Sequence, residues 1–197
     1  MRQLKDALND ARNVSKTIKC SAACPIEYTD SVWDDLRSPA TAINPPGTAS
    51  DPDFDTTNGG WLFDAGSTEL LFIIVQMPHK YKEGSDIHPH VHWEPTNTNT
   101  GNVLWRMSYQ WTNVGATEAG FTDIDALDAG DGTAYKHQLA SLPSITGTGK
   151  TISSMITLKL QRIGGDGTDT YNADALLKEF DVHYQIDEPG SQEELIK

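Results

Sequence analysis

Cysteines, basic side chains and long apolar runs are all scarce in this chain, and each shortage removes a class of function. Only two cysteines, Cys20 and Cys24, occur in 197 residues. Their spacing matches no paired CxxC zinc framework and closes no loop worth closing, so they read as reduced thiols. Fifteen Lys and Arg face 28 Asp and Glu, a formal charge of -13. Such a surface repels nucleic acid phosphates and anionic membranes, and no local basic cluster offsets it. No stretch approaches the roughly 18 apolar residues of a membrane span, and MRQLKDALND has no apolar signal-peptide region. The expectation is a soluble product of the cytoplasm. Catalytic signatures are also missing: there is no GxSxG, no P-loop and no HExxH, and Asp53, Asp55 and Asp64 are spaced like loop aspartates. The sequence therefore nominates no catalytic residue and no cofactor.

What is present is mostly β in character. Leu4, Leu8, Ala11 and Ile18 fall near helical spacing with no Pro or Gly between them, which predicts an N-terminal helical arm over residues 1–24. Residues 25–60 are dense in Pro, Gly, Asp and Ser, with Trp33 and Leu36 as isolated anchors, and read as a long extended loop that wraps the body or reaches a neighbour. The body is expected over 61–191, with a short tail at 192–197. Within it, Leu70 to Val75 form a continuous apolar run suited to a strand covered on both faces. Val103, Trp105, Met107, Tyr109 and Trp111 alternate with polar or smaller neighbours, the clearest strand of the chain. Further strands are expected near 134–141, 152–163 and 176–186, where Phe180, Val182, Tyr184 and Ile186 share one face and Asp181, His183 and Gln185 the other. Glycine-rich turns separate them, among them GGDGTDT at 164–170, which lacks the twelfth-position acid of an EF-hand loop. Seven or eight strands with almost no internal helix predict an all-β fold, an antiparallel β-sandwich or jelly roll.

The stretch DIHPHVHWEPT, residues 86–96, carries the most chemistry. Strand alternation sends His88, His90, His92 and Glu94 one way and Ile87, Pro89, Val91 and Trp93 the other. The apolar set claims the core, leaving the histidines outside or against a neighbouring subunit. Three readings stay open. The row can be a polar strand face; His88, His90 and His92 can bind a metal, shared between subunits; or His88, His90 and Glu94 can act as in cupins, whose metal-binding stretch H88-P-H90-x3-E94-x6-G101 resembles, although the preceding glycine and the second cupin motif are missing.

A wider resemblance runs through MPHKYKEGSDIHPHVHW, VLWRMSYQW and DTYNADALLKEFDVHYQIDEPGS. It is similar to a group of small proteins encoded among the structural genes of tailed bacteriophages. Pro78, His79, Tyr81, Gly84, His90, His92, Trp93, Asp181, His183, Tyr184, Gly190 and Ser191 carry it, over roughly residues 33–191. The resemblance implies a virion component (capsid decoration, neck or tail) with a jelly-roll body, acting by assembly with other virion proteins and not as an enzyme. A homo-oligomer is expected, a trimer favoured, with Leu4, Leu8, Ile18, Trp33 and Leu36 as interface candidates. A jelly-roll lectin is the further alternative, binding carbohydrate through Trp33, Trp61 and Trp93.

Overall fold

The computed structural model describes residues 18–21, 24–28 and 30–197. Twelve strands make up nearly all of its regular structure, with one short 3-10 turn at Ala40–Ala42. Among the described residues no helix is long and apolar enough to cross a membrane.

Two antiparallel sheets face each other. In the first, β10 (Gln138–Ser141), β7 (His88–Pro95) and β12 (Ala175–Ile186) lie side by side. The far side of β12 is shared: its first residues pair with β5 (Gly60–Phe63), itself flanked by β4 (Asp53–Asp55), and Glu179 to Ile186 pair with β3 (Val32–Pro39). The second sheet runs β6 (Thr68–Gln76), β11 (Met155–Ile163), β8 (Asn102–Thr112), β9 (Thr122–Ala129). Successive strands from β6 onward change sheet at every connection except the β8–β9 hairpin. With β3 and β5 together standing for one strand, this is the jelly-roll order, the expected sandwich class.

Alternation builds the core. Val91 and Trp93 from β7, Trp105 and Met107 from β8, Leu158 and Leu160 from β11, and Phe180 and Val182 from β12 are all buried between the sheets. Phe63 and Trp93 both meet Trp105 edge to face, at 5.3 and 6.2 Å between ring centroids, a favoured aromatic geometry. Tyr81 and Tyr184 close one end of the core, 6.4 Å apart. Burial pushes both phenols up to about 12 from an ordinary 10.0. A phenol whose folded-state value is raised keeps its stabilising effect below the unfolded value and loses it as pH rises through the folded one. Alkaline unfolding is therefore expected to set in between pH 10 and 12, with tyrosine ionisation followed by absorbance tracking loss of near-UV dichroism; ionisation complete near pH 10 in the folded protein would contradict it.

Three expectations need correction. The helical arm over 1–24 does not reach its end: β1 (Ile18–Ser21) and β2 (Cys24–Tyr28) form an antiparallel hairpin, with Ile18 opposite Tyr28 and Ser21 opposite Cys24. Ile, Cys and Ser are weak helix formers whose backbones pair readily in a ladder. Residues 1–17, with Leu4 and Leu8, lie outside the described residues. The 25–60 segment is not a loop throughout, because β2, β3 and β4 fall inside it. In β3 exposed Trp33, Asp35 and Arg37 alternate with half-buried Val32, Asp34 and Leu36, a strand period disguised by acidic residues. Finally, among the described residues β6 is covered on one face only: Leu71 and Ile73 are buried, whereas Phe72 and Ile74 are 40% and 63% exposed.

Candidate functional site

An irregularity in β12 creates the site. Its pairing with β7 slips by one residue at Lys178, between Leu177 opposite Trp93 and Glu179 opposite His92. Such a bulge reverses which residues face the core. Before it, Ala175 and Leu177 point inward; after it Phe180, Val182 and Tyr184 do, and Glu179, Asp181 and His183 turn outward. They land opposite His92, His90 and His88 in turn, with Pro39, Arg37 and Asp35 of β3 on the other flank. His137, just ahead of β10, stacks on His92 at 5.0 Å and 11°. Five of the six histidines, 88, 90, 92, 137 and 183, thus share one outer face.

Asp181 is the centre of this face and only 4% exposed. His92 Nε2 lies 3.2 Å from its Oδ2, while His183 Nε2 and His90 Nδ1 stand 3.7 Å from Oδ2 and Oδ1. His183 Nε2 also reaches Asp35 Oδ1 at 3.1 Å, and the rings of His90 and His183 are 4.3 Å apart. His92 Nδ1 is hydrogen-bonded to His137 Nε2 at 2.7 Å. Arg37 grips Glu179 in a bidentate pair at 2.5 and 2.7 Å beside them, and that contact holds the Glu179 carboxyl below its usual range. Burial first, and the neighbouring His183 next, hold the His90 imidazole below its ordinary value. A ring so placed is neutral near pH 7 and offers a lone pair.

Two atoms of the cluster have no hydrogen-bond partner among the described residues: Asp181 Oδ1 and His90 Nδ1, both buried. Leaving one such group unmatched costs about 1–3 kcal/mol. Two depressions of about 330 and 340 Å³ open onto the cluster. One is lined by Trp33, His88, His90 and His183, the other by Asp35, Arg37, His92, His137 and Asp181 among others.

The expected histidine row is on the outer face, as alternation requires, but its members part company. His90 and His92 approach Asp181; His88 packs instead against Trp33, 5.1 Å from its ring. The interior pocket that a cupin-like use of His88, His90 and Glu94 requires is filled by Val91 and Trp93. Asp181, His183 and His137 were not nominated. The outward alternation of Asp181 and His183 is visible in DVHYQ, yet nothing local says that β12 lies beside β7, and His137 lies ahead of β10 in no strand at all. Of the three tryptophans offered for carbohydrate, Trp93 is fully buried, Trp61 is half-buried with its Nε1 donating to Ala40 O, and Trp33 is 45% exposed. Leu36 is half-buried and packs against the core; Ile18 lies in β1. Asp55 and Asp64 accept from backbone N–H groups two residues ahead, at Thr57 and Gly66, and so act as turn formers. Within GGDGTDT, Asp166 caps its turn and Asp169 turns inward to Arg162.

No family model and no curated protein matches the sequence. Among solved structures, a CBM35 module from Cellvibrio japonicus overlays with a TM-score of 0.43 at 9% identity, covering 80% of this chain and 99% of that one. Xyl-CBM35, solved in complex with a glucuronic acid-containing disaccharide, overlays with a TM-score of 0.42 at 9% identity, covering 85% of this chain and 97% of that one. The infectious bursal disease virus Gx strain structure overlays at 0.39 and 12% identity, covering 86% of this chain and 36% of that one. Scores and identities at this level say nothing of ligand or role.

Proposed function

We propose that the protein is a non-enzymatic structural component of a tailed-phage virion, a jelly-roll module that works by assembly. One observation carries this reading. The residues of the phage-like resemblance come from two stretches nearly a hundred positions apart, and the fold joins them. His79 Nδ1 meets Ser191 Oγ at 2.6 Å, Tyr81 packs on Tyr184, and His90 and His92 flank Asp181 and His183. Residues that match as a set also touch as a set, which favours a shared structural unit over a chance string of matches. The exposed strip on β6 supplies a surface for assembly. Among the described residues β6 is an edge strand, paired only with β11, and its outward residues Leu70, Phe72 and Ile74 carry no charge. Such an edge invites another chain unless it is covered; the occupant in this reading is a second copy, within a closed homo-oligomer.

The test is the mass in solution by light scattering, together with binding to particles. The native chain is expected to form a defined oligomer, and the Phe72→Asp/Ile74→Asp variant to shift toward a single chain with unchanged circular dichroism. A native monomer that also fails to bind particles overturns the assembly role. One observation favours a second reading, a carbohydrate-binding surface: Trp33 stands exposed, edge-on to His88, beside a depression walled by polar rings. An aromatic face flanked by hydrogen-bonding groups suits a sugar ring. Glycan binding that Trp33→Ala abolishes, in a protein that stays monomeric, would favour it over assembly.

A further inference from the structure

We propose that the outer face binds one divalent first-row transition ion of the zinc class within a single chain, through His90, Asp181 and His183, with His92 as fourth donor. This goes beyond assembly and does not rest on it. The ligand atoms of His90, Asp181 and His183 all lie within 4.8 Å of one another. Bonds of about 2.0–2.1 Å in a tetrahedral arrangement place donor atoms about 3.3 Å apart. Each imidazole already stands near a carboxylate oxygen of Asp181, His92 and His183 at 3.2 and 3.7 Å from Oδ2 and His90 at 3.7 Å from Oδ1. Small rotamer adjustments close the rest.

Independent support comes from the hydrogen-bond inventory. Asp181 is buried and its Oδ1 has no partner among the described residues; His90 Nδ1, buried beside it, has none either. An unmatched carboxylate oxygen and an unmatched imidazole nitrogen facing each other at 3.7 Å form a poor contact as they stand. With a cation between them they form two bonds. Imidazole and carboxylate donors suit zinc, cobalt, nickel or copper rather than calcium or magnesium, which prefer all-oxygen shells. The surroundings resemble an outer shell: Asp35 reaches His183, His137 orients His92, and Arg37 holds Glu179 to the side. Such partners fix the rings that ligate. His88 takes no part, because its ring is held against Trp33.

Untagged full-length protein, stripped with chelator, would be titrated with Co2+ and the visible d–d bands recorded, followed by displacement with Zn2+. One ion per chain is expected, with band positions of a four- or five-coordinate nitrogen and oxygen site. Asp181→Asn and His183→Ala should each weaken affinity at least tenfold, while His88→Ala and His79→Gln leave it within a factor of about two. Ligation also stabilises the folded state by mass action, so Zn2+ at a hundredfold excess over its dissociation constant should raise the melting temperature of the native protein. That measurement stands even where a variant fails to fold. Absence of both stoichiometric binding and a melting shift overturns the site. So does binding indifferent to Asp181→Asn, or one ion per several chains with affinity lost in the monomeric Phe72→Asp/Ile74→Asp variant. Retention of the site in that variant separates it from the assembly reading.

Discussion

Asp169→Ala is expected to destabilise the protein by about 3–5 kcal/mol, the range for stranding one member of a buried ion pair. Arg162 lies in the inward row of β11 with Leu158 and Leu160 and is 0% exposed. Its guanidinium pairs with Asp169 at 2.8 and 2.9 Å, donates to the carbonyls of Phe63 at 2.9 Å and Ala173 at 2.6 Å, and bonds Tyr171 O as well. Asp169 in turn accepts from Leu104 N at 3.0 Å. This network ties β11 to the end of β5 and to the loop that leads into β12. Alanine at 169 leaves a dry cation with only neutral carbonyls for company. Arg162→Met/Asp169→Leu removes both charges and is expected to recover much of the loss, since apolar replacement of a whole buried pair is often close to neutral. Urea unfolding of the two variants measures the difference. A cost below about 1 kcal/mol for Asp169→Ala, the range of exposed pairs, would mean that water reaches Arg162.

How far the fold could be read from the sequence depended on what each strand hides. β8 was plain because its inward residues are large and regular, from Val103 to Trp111. β9 was missed: in TDIDALDA the inward row is Ile124, Ala126 and the aspartate Asp128, and Asp123 and Asp125 alternate with it. β3 was obscured in the same way, its period carried by Val32 and Leu36 amid acids and bounded by proline. For β6 the run Leu70–Val75 signalled burial on two faces, and only one is covered among the described residues. Apolar content reports a demand for cover without saying which molecule meets it.

The site was half legible for a related reason. Alternation alone placed His90 and His92 outward, and it separated Asp181 and His183 from Phe180 and Val182. What joins the two sets is long-range: β12 beside β7, and a one-residue slip at Lys178. Had the ladder run without that slip, the face of β12 turned outward at Leu176 would have continued through Phe180 and Val182. The bulge thus sends Asp181 outward while the core behind it remains apolar. His137 arrives through the connection between β9 and β10, where no periodicity exists to read. A buried, imperfectly paired carboxylate among imidazoles costs stability, and the bulge that creates it is one that a sheet built only for packing would not need.

Trp93→Ala should cost about 3–5 kcal/mol, the range for emptying a large aromatic site in a core. Trp93 is the inward residue between His92 and Glu94, fully buried against Trp105 and Tyr171 at 6.2 and 5.8 Å. Its Nε1 donates to Asp128 Oδ2 at 2.7 Å, tying β7 to β9 across the sandwich. Trp93→Phe keeps most of the ring and removes only that donor, so about 1–3 kcal/mol is expected. The pH dependence of this smaller loss is diagnostic. Burial raises the Asp128 carboxyl above its ordinary value, and the bond from Trp93 lowers it in part. A raised folded-state value means stability that is present at acid pH and declines as pH rises through it. Without the donor the rise is greater and the decline steeper. The deficit of Trp93→Phe should therefore be largest near neutral pH and shrink on acidification, as followed by urea midpoints from pH 7 to pH 4. A deficit that stays constant across that range would mean that Asp128 remains hydrated and that Trp93 holds β7 in place by packing alone.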